Sequence, residues 1–254
     1  DLTKYFLNNY LNKLTRDGLS KNTQKLHLTV VKSFLYFIAD SDLEKFGFLK
    51  LKLDGIKIKT EQKEKDSFAQ NEQAKLLNYL ITLDAKKSYL AQRNSLLIKI
   101  LLHTGVRISE LINIKWSGIA EHYDDKHGYI YVILVYGKGN KERFTYLQHD
   151  EVKDNLEFLK LNRLTDSPYL FLSTHGNQCN RSSLFDVVKT LLQQAGIHKS
   201  GLHIFRHTFA RSLVDRDVNL ATIKDLLGHS NIAVTAQFYA KSNENAKRNA
   251  LFKG

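Results

Sequence analysis

Residues 129–147 read YIYVILVYGKGNKERFTYL, and this stretch decides the fold. Its two halves, Tyr129 to Tyr136 and Glu142 to Leu147, are rich in β-branched and aromatic residues, which suit a pleated, half-buried surface. Between them, Gly137-Lys138-Gly139-Asn140 supplies turn chemistry, so the stretch reads as a β-hairpin. The sequence around it repeats at helical spacing instead. Downstream, helical patterns run over about 151–163, 181–195, 203–216 and 219–228, with Gly228 placed to end the last. Upstream they run over about 71–83, 87–103 and 109–116, the last opening at Ser109 as its cap. The expected fold class is mainly α with a small antiparallel β-sheet.

The first 60 residues are also helical in pattern. Leu2, Phe6, Tyr10, Leu11 and Leu14 recur at helical spacing, and Asp17-Gly18 closes that segment. Ser20 or Asn22 can cap a second helix, whose apolar face reads Leu26, Val30, Phe34, Phe37 and Ile38. Lys21, Lys25, His27 and Lys32 line its other face. From Lys57 to Asp66 the composition turns to charge, as in a linker. The expected organisation is a helical module over 1–60, a linker over 61–67, a larger domain over 68–240 and a tail over 241–254.

Composition narrows the function classes. The 254 residues carry 38 Lys+Arg against 26 Asp+Glu, a formal charge of +12, which asks for a polyanionic partner. One cysteine, Cys179, excludes an internal disulfide framework and fits a reducing compartment. No run approaches the roughly 18 apolar residues of a membrane span, and no signal-peptide pattern opens the chain. The chain reads as cytoplasmic. It holds no methionine, an initiator included, which reads as a truncated or processed start.

Four short stretches concentrate side chains able to do chemistry. In His103-Thr104-Gly105-Val106-Arg107-Ile108-Ser109-Glu110-Leu111, Gly105 breaks one helix and Ser109 caps the next, which puts Arg107 at a helix N-terminal turn. There a guanidinium fork can meet an anion, or simply pair with Glu110. Lys138 tops the hairpin, as a solvated charge or a positioned proton donor. In His203-Ile204-Phe205-Arg206-His207, His203 and Arg206 share a helix face. His203 and His207 have zinc spacing, but Ile204 stands where a metalloprotease needs Glu, so no metal site is expected. Last comes Leu226-Leu227-Gly228-His229-Ser230, followed by Thr235, Phe238 and Tyr239.

In this order, the strings TGVRISEL, GKGNKER, HIFRHTFA and LLGHS, then a tyrosine, resemble the tyrosine recombinase (phage integrase/Xer) family. The resemblance covers about 68–240, and LSKNTQKLHLTVVKSFLYFI resembles the family's DNA-clasping helical module. It implies an N-terminal helical core-binding domain and a mixed α/β catalytic domain. It implies that Arg107 and Arg206 grip the scissile phosphate, that His203 and His229 complete the cage, and that Lys138 is the hairpin lysine. Glu110 matches an acid that orients the first arginine, and Tyr239 the nucleophile. Xer-type members usually place that tyrosine nine residues after the histidine of the glycine-histidine motif, where Phe238 stands here. Val234-Thr235-Ala236-Gln237-Phe238-Tyr239 fits a longer phage-type spacing, which selects Tyr239. If Phe238 instead replaces the nucleophile, the chain is an inactive DNA-binding relative.

The chemistry suits these residues. Charge that develops on a phosphodiester attacked by tyrosine needs preorganised donors, and guanidinium forks are bidentate and always protonated. Two arginines and two histidines can do what Mg²⁺ does elsewhere, so no cofactor is expected. The resemblance further implies duplex DNA with a specific recombination site, a homo-tetrameric synapse and an activating protein partner. The roles it leaves open are Xer-type chromosome dimer resolution and the integrase or transposase of a mobile element, bacterial or phage-encoded. Lys21, Lys25, Lys32, Lys141 and Arg143 are the expected phosphate contacts.

Overall fold

A computed structural model describes residues 2–53, 55–59, 66–137 and 139–228. The chain divides into two compact units, residues 1–64 and 65–254.

Among the described residues the smaller unit holds four helices, α1 (Leu2–Arg16), α2 (Lys21–Ser41), α3 (Leu43–Phe46) and α4 (Phe48–Leu53). Gly18 has φ +75 and turns the chain after α1, a conformation cheap only for glycine. Ser20 caps α2, its hydroxyl accepting from the Thr23 amide at 3.2 Å. The core gathers Leu7, Leu28, Ala39, Leu49, Leu53 and Ile56. Leu14 is buried and Leu11 and Ile38 pack against this core as their spacing suggests, but the rest of the expected α2 face is corrected. Phe6 is exposed, and so are Leu26, Val30, Phe34 and Phe37, whereas Leu28 and Ala39 are buried with Val31, Leu35 and Ile38 packed beside them. The cause is that α2 carries two apolar stripes: Leu28 lies about 200° around the helix from Leu26 at 100° per residue. Periodicity finds both stripes. Packing against α1, α3 and α4 decides which is covered.

The larger unit is built on α6 (Tyr89–Thr104), which packs against α5 (Gln70–Asp84), α8 (His149–Leu161), α10 (His203–Asp215) and the sheet. Leu96, Leu97, Ile98 and Ile100 are fully buried, because a helix surrounded by partners is apolar nearly all round. Lys99 interrupts that run without reaching solvent freely. Its Nζ meets Asp84 Oδ2 at 2.8 Å, Asn155 Oδ1 at 2.7 Å and the Glu151 carbonyl at 2.7 Å. Helices α9 (Arg181–Gln194) and α11 (Leu220–Leu227) complete the unit, with α7 (Ile108–Leu111) between α6 and the sheet.

The sheet is antiparallel in order β1-β2-β3: β1 (Ile119–Asp124), β2 (Gly128–Tyr136) and β3 (Glu142–Gln148). Ile133 lies opposite Thr145 and Val135 opposite Arg143, so Tyr131, Ile133, Val135, Thr145 and Leu147 face the core. The hairpin expectation holds, and β1 is an addition to it. Its sequence, IAEHYD, is mostly exposed and forms by edge pairing with β2, which leaves little apolar signal. Helix α7 is also shorter than expected, four residues rather than 109–116, and its cap position is Arg107, not Ser109. After Leu111 the chain leaves the helix, and the Ile114 carbonyl accepts from the Leu170 amide at 2.8 Å. Among the described residues no helix is long and apolar enough to cross a membrane.

Candidate active site

The site begins where α6 stops. Gly105 adopts the left-handed conformation, φ +59, and turns the chain so that Arg107 points back across the helix end. A Cβ at Gly105 would stand 2.5 Å from Phe209 Cδ1 and 3.0 Å from Leu227 Cδ2, so α10 and α11 close in because this residue has none. Two residues on, the Glu110 carboxylate accepts from the Arg107 amide at 2.7 Å and from Arg107 Nη1 at 2.7 Å. Both readings of Arg107, paired with Glu110 and free to meet an anion, are compatible here: 32% of its side chain remains exposed, against 1% for Glu110.

Arg206 comes from α10 and is buried. Its Nη1 donates to the Gly105 carbonyl at 2.8 Å and its Nη2 to the Leu227 carbonyl. Burial, and then the nearby Arg107, pull its guanidinium down to about 9. His203, one helical turn earlier, is exposed and lies with its ring 6.4 Å from that of His207. Burial comes first, then Arg181, Arg206 and Arg107, in holding its imidazole below the ordinary histidine range. Arg181, at the start of α9, is a neighbour that the motifs did not single out.

Helix α11 supplies the other wall. It ends at Gly228, φ +62, the residue immediately before His229 in the chain. Three guanidinium groups from three elements donate to three successive carbonyls at this end. Arg143 Nη1 reaches Leu226 at 2.9 Å, Arg206 Nη2 reaches Leu227, and Arg107 Nη2 reaches Gly228 at 3.2 Å. The unpaired C-terminal carbonyls of a helix carry partial negative charge, which draws cations there.

Arg143, expected as a phosphate contact, turns inward, its Nη2 donating to Glu110 Oε2 at 2.7 Å, with only 12% of the side chain exposed. The signal was present in the sequence: period two puts Arg143 on the same face of β3 as Thr145 and Leu147. Lys141 is exposed. Lys21, Lys25 and Lys32 lie on α2 of the smaller unit, the first two exposed and the third half-buried. Lys138, His229, Phe238 and Tyr239 lie outside the described residues. Gly137, which precedes Lys138, comes close to the site: a Cβ there would stand 3.6 Å from Glu110 Oε1. Among the described residues no group of three His, Cys, Asp or Glu side chains could hold a metal ion.

The mainly helical unit with its three-stranded sheet is a fold already known. Residues 67–246 match the phage integrase family, well over half of the chain, and the chain belongs to that family. Tyrosine recombinase XerH of Campylobacter jejuni is 32% identical over 181 residues, 70% of this chain and 49% of that protein, so the chain spans about half of it. Tyrosine recombinase XerC of Staphylococcus epidermidis is 29% identical over 249 residues, 94% of this chain and 78% of that protein. Among solved structures, the XerH site-specific recombinase bound to palindromic difH substrate, in a post-cleavage complex, superposes with TM-score 0.83. The identity is 23%, covering 98% of this chain and 72% of that one. The Tn1549 transposon integrase with circular intermediate DNA has the same fold at TM-score 0.70 and 18% identity, covering 96% of this chain and 85% of that one. Within that family the chain is similar to Xer-type tyrosine recombinases.

Proposed function

We propose that the chain catalyses site-specific recombination of duplex DNA through a covalent 3′-phosphotyrosyl intermediate. The observation that carries this reading is the convergence of Arg107 and Arg206, from separate elements, on the end of α11 that leads into His229. Arg107 and Arg206 hold the non-bridging oxygens of the scissile phosphate, and His203 and His229 donate from either side. The Tyr239 hydroxyl gives its proton to water and its oxygen attacks phosphorus. The bond to the 5′-oxygen breaks, and Lys138 delivers the proton that makes this oxygen a free hydroxyl. Phenol ionises near pH 10 in water, so neighbouring cations assist Tyr239. The phosphotyrosyl bond conserves the energy of the phosphodiester, and attack by a second 5′-hydroxyl rejoins the strand without ATP.

In this proposal the enzyme is cytoplasmic, acts as a homo-tetramer on two sites and takes part in Xer-type resolution of chromosome dimers, with an activating partner. The helical module and the catalytic domain both contact DNA, through Lys21, Lys25, Lys32 and Lys141 among others. Each phosphate contact removed lowers the slope of log affinity against log salt by about 0.9.

The test uses a duplex site selected by the wild-type chain from a random pool, made into a nicked suicide substrate. Wild type forms a covalent protein–DNA band, Tyr239→Phe forms none, and Arg206→Ala binds without cleaving. Absence of the band from wild type, on DNA it binds, removes the recombinase reading in favour of a non-catalytic DNA-binding relative. A band retained by Tyr239→Phe removes the nucleophile assignment.

A further inference from the structure

Beside the candidate site, the proposed mechanism gives the inward-facing Arg143 no task. Arg143 is tied at both ends, to Glu110 and to the Leu226 carbonyl, while its Nε is shut away from solvent with no partner among the described residues. A donor left unsatisfied in this way is costly, so the other two bonds hold the group in place against a local penalty. It also lies where Gly228 has no side chain: a Cβ there would stand 2.9 Å from Arg143 Nε.

We infer that Arg143 is a positioning residue for strand cleavage, a role that rests on the recombinase reading above. Arg107 and Arg206 also hold the end of α11, but they are the groups that must turn to a phosphate. Arg143 is closed in and keeps its bonds when they do. It fixes the Leu226 carbonyl, and with it the turn at Gly228 that leads to His229. Through Glu110 it also fixes the carboxylate that aims Arg107.

The experiment measures single-turnover adduct formation by the 254-residue chain on the selected suicide duplex, with enzyme in excess, for wild type, Arg143→Ala and Arg143→Lys. Displacing catalytic groups by about 1 Å can cost on the order of 100-fold in rate. The expected result is a rate constant lower by about that factor in Arg143→Ala, with DNA affinity, salt slope and adduct amplitude unchanged. Arg143→Lys, which can reach only one of the two partners, recovers part of the rate. If circular dichroism finds Arg143→Ala unfolded, Arg143→Lys alone carries the test and must lose at least about tenfold. A wild-type rate constant with reduced amplitude makes Arg143 merely structural and overturns the inference. A salt slope lower by about 0.9 makes it a phosphate contact and also overturns it. No adduct from wild type overturns the recombinase reading, and this role with it.

Discussion

At Glu110 one almost fully buried carboxylate accepts from two guanidinium groups and a backbone amide. Removing its charge leaves Arg107 and Arg143 facing each other uncompensated, so Glu110→Gln is expected to lose about 3–5 kcal/mol of stability. Denaturant melts against wild type measure this. His203 gives a second prediction at this scale. Its imidazole is held below the ordinary value of 6.5, so the unfolded chain binds a proton there before the folded chain does. Stability therefore falls as pH drops through about 6.5 towards the folded value. His203→Gln is expected to flatten the dependence of Tm on pH between about 7 and 5, and an unchanged curve contradicts the assignment. The motif spacings made Arg107, Glu110, His203 and Arg206 legible as single residues. The pairing of Arg107 with Glu110 was readable from their spacing as well. The convergence of Arg107 and Arg206 on the end of α11 was not, because the acceptors there are backbone carbonyls, and a carbonyl has no letter in a sequence.

Elements were legible where their apolar spacing was unambiguous. Helices α6, α8, α9, α10 and α11 lie where their periodicity puts them. Misreadings fell where local pattern underdetermines packing: the doubly apolar α2, the polar edge strand β1 and the short α7. Gly105 shows why a single letter can still fix the relation between elements. Gly105→Ala forces a side chain into a left-handed conformation, at about 1–2 kcal/mol, and drives its Cβ into Phe209. At roughly 2–4 °C per kcal/mol for a domain of this size, Tm is expected to fall by several degrees. Scanning calorimetry reads that shift, and a wild-type Tm would mean that α10 moves away freely.

Across the whole molecule the two units have cores of very different size. Among the described residues the smaller relies on a compact cluster around Leu28 and Leu53, and a module of about 60 residues is marginal on its own. The larger rests on the continuous cluster from Phe68 to Phe205. Calorimetry of the full chain is expected to resolve two transitions, and Leu53→Ala to lower only the first. One cooperative transition shifted as a whole by Leu53→Ala contradicts independent units. The division after Glu64 falls within the charged run that the composition marked. The charge of +12 raises a final matter, how a chain so cationic gathers three guanidinium groups at one helix end. The three carbonyls ending α11 and the Glu110 carboxylate serve as an internal counter-ion, present from the moment the helices dock. Order of assembly follows from this: the pocket can form during synthesis, with no nucleic acid at hand, and meet its polyanion already folded.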